Sequence, residues 1–335
     1  MKILVTGSAG HLGEALMRGL QQSSHEAVGI DVLASGFTTR VGSIADRAFV
    51  ARAMRGIDAV LHAATLHKPH VATHTKQAFV DTNITGTLNL LEEAAAAQVG
   101  AFVFTSTTSS FGDAMLPQPG APAVWVDEAL TPIPKNIYGA TKLAAEDLCR
   151  LFQRQHGLPC IVLRTSRFFP ERDDQQDVRE RYAPANAQVN ELLNRRVDIA
   201  DVFSAQLCAI ERAAQIGFGR YIVSASSPFT RDELHALRDA LPGVVARHVP
   251  QYAAEYARRG WAMAPGIDRV YVNAKARDEL GWRPQHDFAS AINALRAGLD
   301  HQSALARQVG VKGYHPAAHP AVQPATFADG PYPLA

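Results

Sequence analysis

Two groups of residues in this 335-residue chain have types and spacing suited to chemistry. The first is Tyr138-Gly139-Ala140-Thr141-Lys142. On a helix, residues four apart lie one turn apart and face the same way, so the spacing predicts a phenol beside an ammonium. A neighbouring cation favours the phenolate and lowers its pKa toward working pH. Such a tyrosine can take the proton from a substrate hydroxyl as a hydride leaves for a nicotinamide, and return it in the reverse step. The second group is the N-terminal run Thr6-Gly7-Ser8-Ala9-Gly10-His11-Leu12-Gly13. Gly7 permits a tight turn, Gly10 lets the backbone approach a pyrophosphate, and Gly13 allows close helix–strand packing. The pyrophosphate would sit on the amides of His11, Leu12 and Gly13 at the positive end of the helix. Asp31 is placed to hydrogen-bond the adenosine ribose hydroxyls and to repel a 2′-phosphate, and no Arg or Lys follows it before Arg40, so the expected cofactor is NAD rather than NADP.

These residues need a strand–turn–helix scaffold, and the apolar pattern supplies one. Ile3-Leu4-Val5 reads as a buried strand, and Leu12, Leu16 and Leu20 recur as the buried face of a helix. Ala27–Ile30, Ala59–His62, Phe102–Thr105, Cys160–Leu163 and Arg220–Val223 read as further strands. Helices are expected over Gly86–Gln98, with Leu88, Leu91, Ala94 and Ala95 on one face, and around Lys142. Others are expected over Asp198–Ala213, Asn273–Leu280 and Phe288–Leu299. Thr230 and Glu233 have capping-box spacing and predict a helix over Thr230–Ala240. Strands alternating with helices imply an α/β, Rossmann-type, doubly wound parallel sheet. Phe168 to Asp177 reads as a charged loop, and five prolines from Pro316 to Pro333 exclude regular structure from the tail. The expected organisation is a dinucleotide-binding domain over 1–165, to which 197–225 returns. A smaller, discontinuous substrate-binding part spans 166–196 and 226–310, with a proline-rich tail over 311–335.

Composition narrows the function classes. A formal net charge of +1 and the lack of a basic run offer nothing for nucleic acid. Three scattered cysteines form no CxxC and suit a reducing compartment. Met1-Lys2 leads straight into a short apolar run, so neither a signal peptide nor a membrane span is expected and the location is read as cytoplasmic.

Taken in order, Thr6–Gly13, Asp31, His62-Ala63-Ala64, Asn83-Ile84-Thr85-Gly86-Thr87, Phe104–Gly112 and Tyr138–Lys142 resemble the extended short-chain dehydrogenases/reductases. Within them the likeness is to the NAD-dependent epimerase/dehydratase family, over roughly residues 1–300, with Leu280-Gly281-Trp282 as a late landmark. The resemblance implies Tyr138 as general base and acid, Lys142 on the nicotinamide ribose, and Thr107, with Thr108 as its neighbour, on the reacting oxygen. It also implies that Ala63, Ala64, Asn83 and Thr105 line the cofactor. Ser43, before Ile44, stands where the family often has an adenine-contacting Asp, and Phe111 replaces a frequent Tyr. Thr108 and Ser109 occupy the places where dehydratases carry carboxylates, which disfavours dehydration. The segment between Arg164 and Val197 is short for a nucleotide-sugar epimerase, and Arg164–Glu171 is similar to uronate dehydrogenases. Arg167 could clamp a carboxylate or phosphate, or pair with Glu171 or Asp173.

His67, His70 and His74 have spacing that could bind a metal, but Pro69 is expected to start the helix after His67 and no fourth ligand is evident. A substrate-lining loop carrying His67 and Lys68 is the expectation, with no metal. The function expected is NAD-dependent oxidation of a secondary alcohol on a sugar or nucleotide-sugar, with epimerase and dehydrogenase outcomes both open. A non-catalytic NAD-binding regulator is the rival from another class. The family resemblance implies a homodimer.

Overall fold

The structure is a computed structural model that describes residues 1–170 and 176–312. Its first strand, β1 (Lys2–Thr6), buries Ile3, Leu4 and Val5 completely, as a strand covered on both faces requires. Gly7 ends it with φ +74°, and α1 (His11–Gln21) turns Leu12, Leu16 and Leu20 onto the sheet. There follow β2 (Glu26–Asp31), β3 (Arg40–Val41), α2 (Arg47–Ala53), whose N-cap is Asp46, and β4 (Ala59–His62). A short 3-10 turn over Lys68–Ala72 and α3 (Lys76–Phe79) lead into a π-helical turn at Val80–Thr85 that continues as α4 (Gly86–Ala96). Then come β5 (Ala101–Thr107), β6 (Val124–Val126), α5 (Ile137–His156) and β7 (Cys160–Thr165). Asn136 caps α5 by accepting the Gly139 N–H at 3.1 Å, and Gly157 closes it in the left-handed region.

Beyond β7 lie α6 (Gln176–Arg181), α7 (Pro184–Glu191), α8 (Ile199–Ile216) and β8 (Phe218–Val223). The chain continues through α9 (Leu241–His248), α10 (Tyr252–Arg259), β9 (Arg269–Tyr271), α11 (Ala274–Glu279), α12 (Phe288–Arg296) and α13 (Ala304–Val309). Seven strands form one sheet in the order β3-β2-β1-β4-β5-β7-β8, parallel throughout. The connections reverse direction between β1 and β4, which opens a crevice at their C-terminal ends. One face of the sheet packs on α1, α8 and α13, the other on α2, α4 and α5. A separate core gathers Val189, Leu237, Val245, Tyr256, Val270 and Ile292, and a two-stranded β6–β9 pair edges it. Among the described residues no helix is long and apolar enough to cross a membrane.

Three expectations need correction. Thr230 and Glu233 do form a capping box, yet only two 3-10 turns follow, Arg231–Glu233 and Ala236–Arg238. The carbonyls that would continue a helix are taken by distant partners: Leu234 O accepts from Ala123 N–H at 2.9 Å and Leu237 O from Ile267 N–H at 2.7 Å. On α4 the fully buried positions are Leu90, Leu91 and Ala94, with Leu88 and Ala95 only partly covered. The loop expected to Asp177 gives way to α6 at Gln176, while residues 171–175 and the tail prolines lie outside the described residues.

Candidate functional site

The glycine turn is shaped by contacts that leave no room for side chains. A Cβ on Gly13 would lie 1.8 Å from Gly7 O, and one on Gly7 would lie 2.8 Å from the Ala64 backbone. The turn therefore nests against Ala63-Ala64 at the end of β4, and the Gly10 N–H closes it onto Gly7 O at 3.0 Å. Asp31, at the end of β2, accepts the Ala9 N–H with one carboxylate oxygen and the Leu33 N–H with the other, both at 2.9 Å. His11 and Leu12 open α1, where first-turn amides have no acceptor within the helix and suit an anion. A cradle that a single methyl would fill, with a carboxylate at its far end, fits a dinucleotide.

Tyr138 and Lys142 face the same way from the first turns of α5, both buried. Lys142 Nζ donates to Thr105 O at 2.7 Å and lies 4.0 Å over the Phe104 ring. Burial pushes the Tyr138 phenol up to about 12, with a hydrogen bond to the Thr107 side chain acting against it. Burial likewise holds the Lys142 amine down to about 7, opposed chiefly by Glu146. The expectation that the neighbouring ammonium lowers the phenol pKa toward working pH is therefore corrected: loss of hydration raises it, and only the Thr107 hydrogen bond opposes the rise. Thr107, at the end of β5, accepts the Ser109 N–H at 3.0 Å. Thr108 turns inward, toward Thr165 O at 3.4 Å, and Thr105 Oγ1 accepts from Gln206 of α8 at 2.8 Å.

The lysine has a consequence for stability. Between the folded value of about 7 and the ordinary 10.5, the unfolded chain binds more protons than the native one. Lys142 therefore makes the protein more stable as pH rises through that window, by roughly a few kcal/mol. Denaturant titrations across that range should show the gain in the native chain, and a Lys142→Met variant should show a flatter profile.

Asn83 explains how the surrounding loops are tied to this helix. Its Oδ1 accepts the Leu66 N–H at 2.9 Å, and its Nδ2 donates to Leu66 O at 2.9 Å and Thr141 Oγ1 at 3.0 Å. The π-helical turn around Asn83 widens the backbone there, a distortion that recurs at functional sites. A buried relay links Asn83 back to the glycine turn. Thr6 Oγ1 accepts the Ala63 and Ala64 N–H groups at 3.1 and 3.0 Å, so its one proton goes to His62 Nδ1 at 2.8 Å. His62 Nε2–H then donates to Thr87 Oγ1 at 2.9 Å, and Thr87 donates to Asn83 O at 2.7 Å. Burial, reinforced by Lys142, keeps His62 well below its ordinary pKa and neutral.

Sequence reasoning missed Glu146, one turn beyond Lys142 and fully buried. It accepts Ser106 Oγ–H at 2.6 Å, Arg164 Nε and Nη2 at 3.0 and 2.7 Å, and Arg220 Nε at 2.9 Å. One carboxylate thus joins α5 to β5, β7 and β8 beneath the Tyr/Lys pair. The available signal was its i+4 spacing from Lys142.

The outer residues are more dispersed. Arg167 forms a short bridge with Arg196, its N–H donating to Arg195 O at 3.0 Å, while Glu171 and Asp173 fall outside the described residues. His67 caps the Lys68–Ala72 turn, with its N–H on His70 Nδ1 at 3.0 Å. Its ring stacks on Phe169 at 5.4 Å, and Phe169 also meets the His11 ring edge-on at 5.2 Å. Among the described residues no three His, Cys, Asp or Glu side chains are grouped to hold a metal ion. Ser43 is exposed, its Oγ accepting the Ala45 N–H at 3.1 Å, and Ile44 is buried against α4.

The model of the NAD dependent epimerase/dehydratase family matches residues 3–220. A UDP-glucose 4-epimerase of Rhizobium meliloti is 28% identical over 322 residues, covering 86% of this chain and 94% of the relative. Among solved structures, a UDP-glucuronic acid 4-epimerase from Bacillus cereus in complex with UDP-glucuronic acid and NAD superposes with TM-score 0.61 at 20% identity, over 89% of this chain and 98% of that one. A short-chain dehydrogenase/reductase superfamily protein from Agrobacterium tumefaciens with bound NAD gives TM-score 0.62 at 23% identity, over 89% and 98%. At these identities the solved structures establish a shared fold. With the glycine cradle, Asp31 and the Tyr/Lys helix in the family's order, and a family match over most of the sheet, the chain belongs to the NAD-dependent epimerase/dehydratase family of extended short-chain dehydrogenases/reductases and is an NAD-dependent enzyme.

Proposed function

We propose that this enzyme is a 4-epimerase of a nucleotide-linked sugar, with Tyr138 as its acid and base. The observation that carries the reading is the convergence of Tyr138, Lys142 and Thr107 beside the crevice, in a chain that runs nearly the whole length of a UDP-glucose 4-epimerase. Bound NAD supplies the hydride acceptor. Tyr138 takes the proton from the sugar hydroxyl and later returns it. Thr107, whose oxygen already accepts a backbone amide, hydrogen-bonds the Tyr138 phenol and stands beside the same substrate oxygen. Lys142, when charged, favours the phenolate. Asn83 fixes the Leu66 loop against α5, and Glu146 holds α5 to the sheet. Pairing of two chains, expected from the family resemblance, belongs to this proposal as well.

A second reading follows from the loop after β7, which brings Phe169 between the rings of His11 and His67 and carries Arg167 just ahead of it in the chain. That arrangement favours a smaller acidic sugar, oxidised with release of NADH. One assay decides between them. Purified enzyme with NAD is given UDP-glucose, UDP-galactose and free uronic acids, and both product configuration and NADH absorbance are followed. Interconversion of the UDP-sugars without net NADH is the expected result. Stoichiometric NADH from a uronic acid, with no inversion of a UDP-sugar, would replace the epimerase reading by the dehydrogenase one.

A further inference from the structure

The last described residues return to the first turn of the molecule. Ser303 begins α13 with its Oγ accepting the Ala306 N–H at 3.0 Å, while its own N–H and hydroxyl bind Asp198, the N-cap of α8, at 2.9 and 2.6 Å. Val309 is buried in the core shared by α1 and α8, and Gly310, with φ +59°, redirects the chain. Lys312 then reaches the glycine turn. Its Nζ donates to Ala9 O at 2.7 Å and pairs with the Glu14 carboxylate. Glu14 also binds Arg18 Nε at 2.7 Å. Burial would raise the Glu14 pKa, but the hydrogen bonds from Lys312 and Arg18 bring it below the ordinary carboxylate value, so the pair is ionic.

Ala9 is consequently held at both ends. Its N–H is taken by Asp31 and its carbonyl by Lys312, while the next amide, Gly10 N–H, is bound to Gly7 O. These three bonds orient the two peptide planes that precede the first turn of α1, where the diphosphate of a dinucleotide is received. The same ammonium offsets the Glu14 carboxylate, which stands in the first turn of α1. Lys312 lies outside the 3–220 span that the family model matches.

We propose that Lys312 is a cofactor-positioning residue: the C-terminal segment clamps the dinucleotide turn through Ala9 and Glu14 and strengthens NAD binding. The proposal depends on NAD as cofactor and not on the identity of the sugar.

The test uses the full chain and its Lys312→Met and Lys312→Arg variants, titrated with NAD by calorimetry. Backbone hydrogen exchange over residues 7–13 is measured without NAD. The Met variant should bind NAD about tenfold more weakly, the size of one charge-assisted hydrogen bond. Its turn amides should exchange faster while the β5 and β7 amides stay protected, and the Arg variant should recover both properties. NAD affinity in the Met variant within twofold of the native chain would overturn the proposal. So would exchange that rises equally in every strand, because Lys312 would then act only on overall stability. If the native chain itself bound no NAD, the dinucleotide assignment of the turn would fall along with the proposal.

Discussion

Tyr138→Phe is expected to lower turnover by about a thousandfold while leaving NAD affinity and thermal stability close to native. The ring is buried at 8% exposure, and phenylalanine refills that space. Only the phenolic oxygen is lost, together with its contact to Thr107. No other described side chain beside Thr107 has the chemistry to replace it: Thr108 is turned toward Thr165 and Lys142 is anchored on Thr105 O. Steady-state kinetics on the accepted sugar, paired with NAD calorimetry, checks both halves. Undiminished turnover would remove Tyr138 from the chemistry.

The second large effect is expected from Gly13→Ala. The added methyl would meet Gly7 O at 1.8 Å, Gly7 C at 2.5 Å and Ser8 Cα at 2.7 Å, all backbone atoms that no rotamer change can move. The turn must open or α1 must lift from β1, at a cost of about 3 kcal/mol or more. NAD binding should weaken by at least about a hundredfold if that cost falls on the bound turn. Gly243→Ala in α9, where a Cβ meets nothing within 4 Å, is the matched control and should leave stability and NAD affinity unchanged or slightly improved. Calorimetry and denaturant midpoints on the two variants make the comparison. Equal behaviour would mean that the turn tolerates a side chain and that its glycines are not there for close approach.

The parts of the molecule legible in the sequence were those encoded locally. Ile3-Leu4-Val5 and the Leu12, Leu16, Leu20 repeat announce a strand and a helix because burial imposes their periods. The glycine turn and the Tyr/Lys pair each lie within one short run, so spacing alone brings their atoms together. The remainder depends on contacts between distant residues. Asn83 gains its clamp from Leu66 and Thr141, and nothing in its own neighbourhood signals a π-helical turn. Glu146 draws its partners from three strands. Thr230–Ala240 failed as a helix because Ala123 and Ile267 claim its carbonyls, although its capping signal was read correctly. Short elements such as β6 and β9 carry too few residues for a period to emerge.

The carboxylate hub at Glu146 also bears on how such an enzyme can diversify. Because Arg164 and Arg220 both bind it, the chain leaves the sheet after β7 and returns at β8 with each strand already fastened to the helix that carries Tyr138 and Lys142. The stretch of that excursion ahead of α8 can then lengthen, shorten or exchange its side chains, while α8 keeps its place on the sheet. Substrate choice can drift there over evolutionary time, or be rewritten by loop grafting, while the proton-handling pair stays where it is.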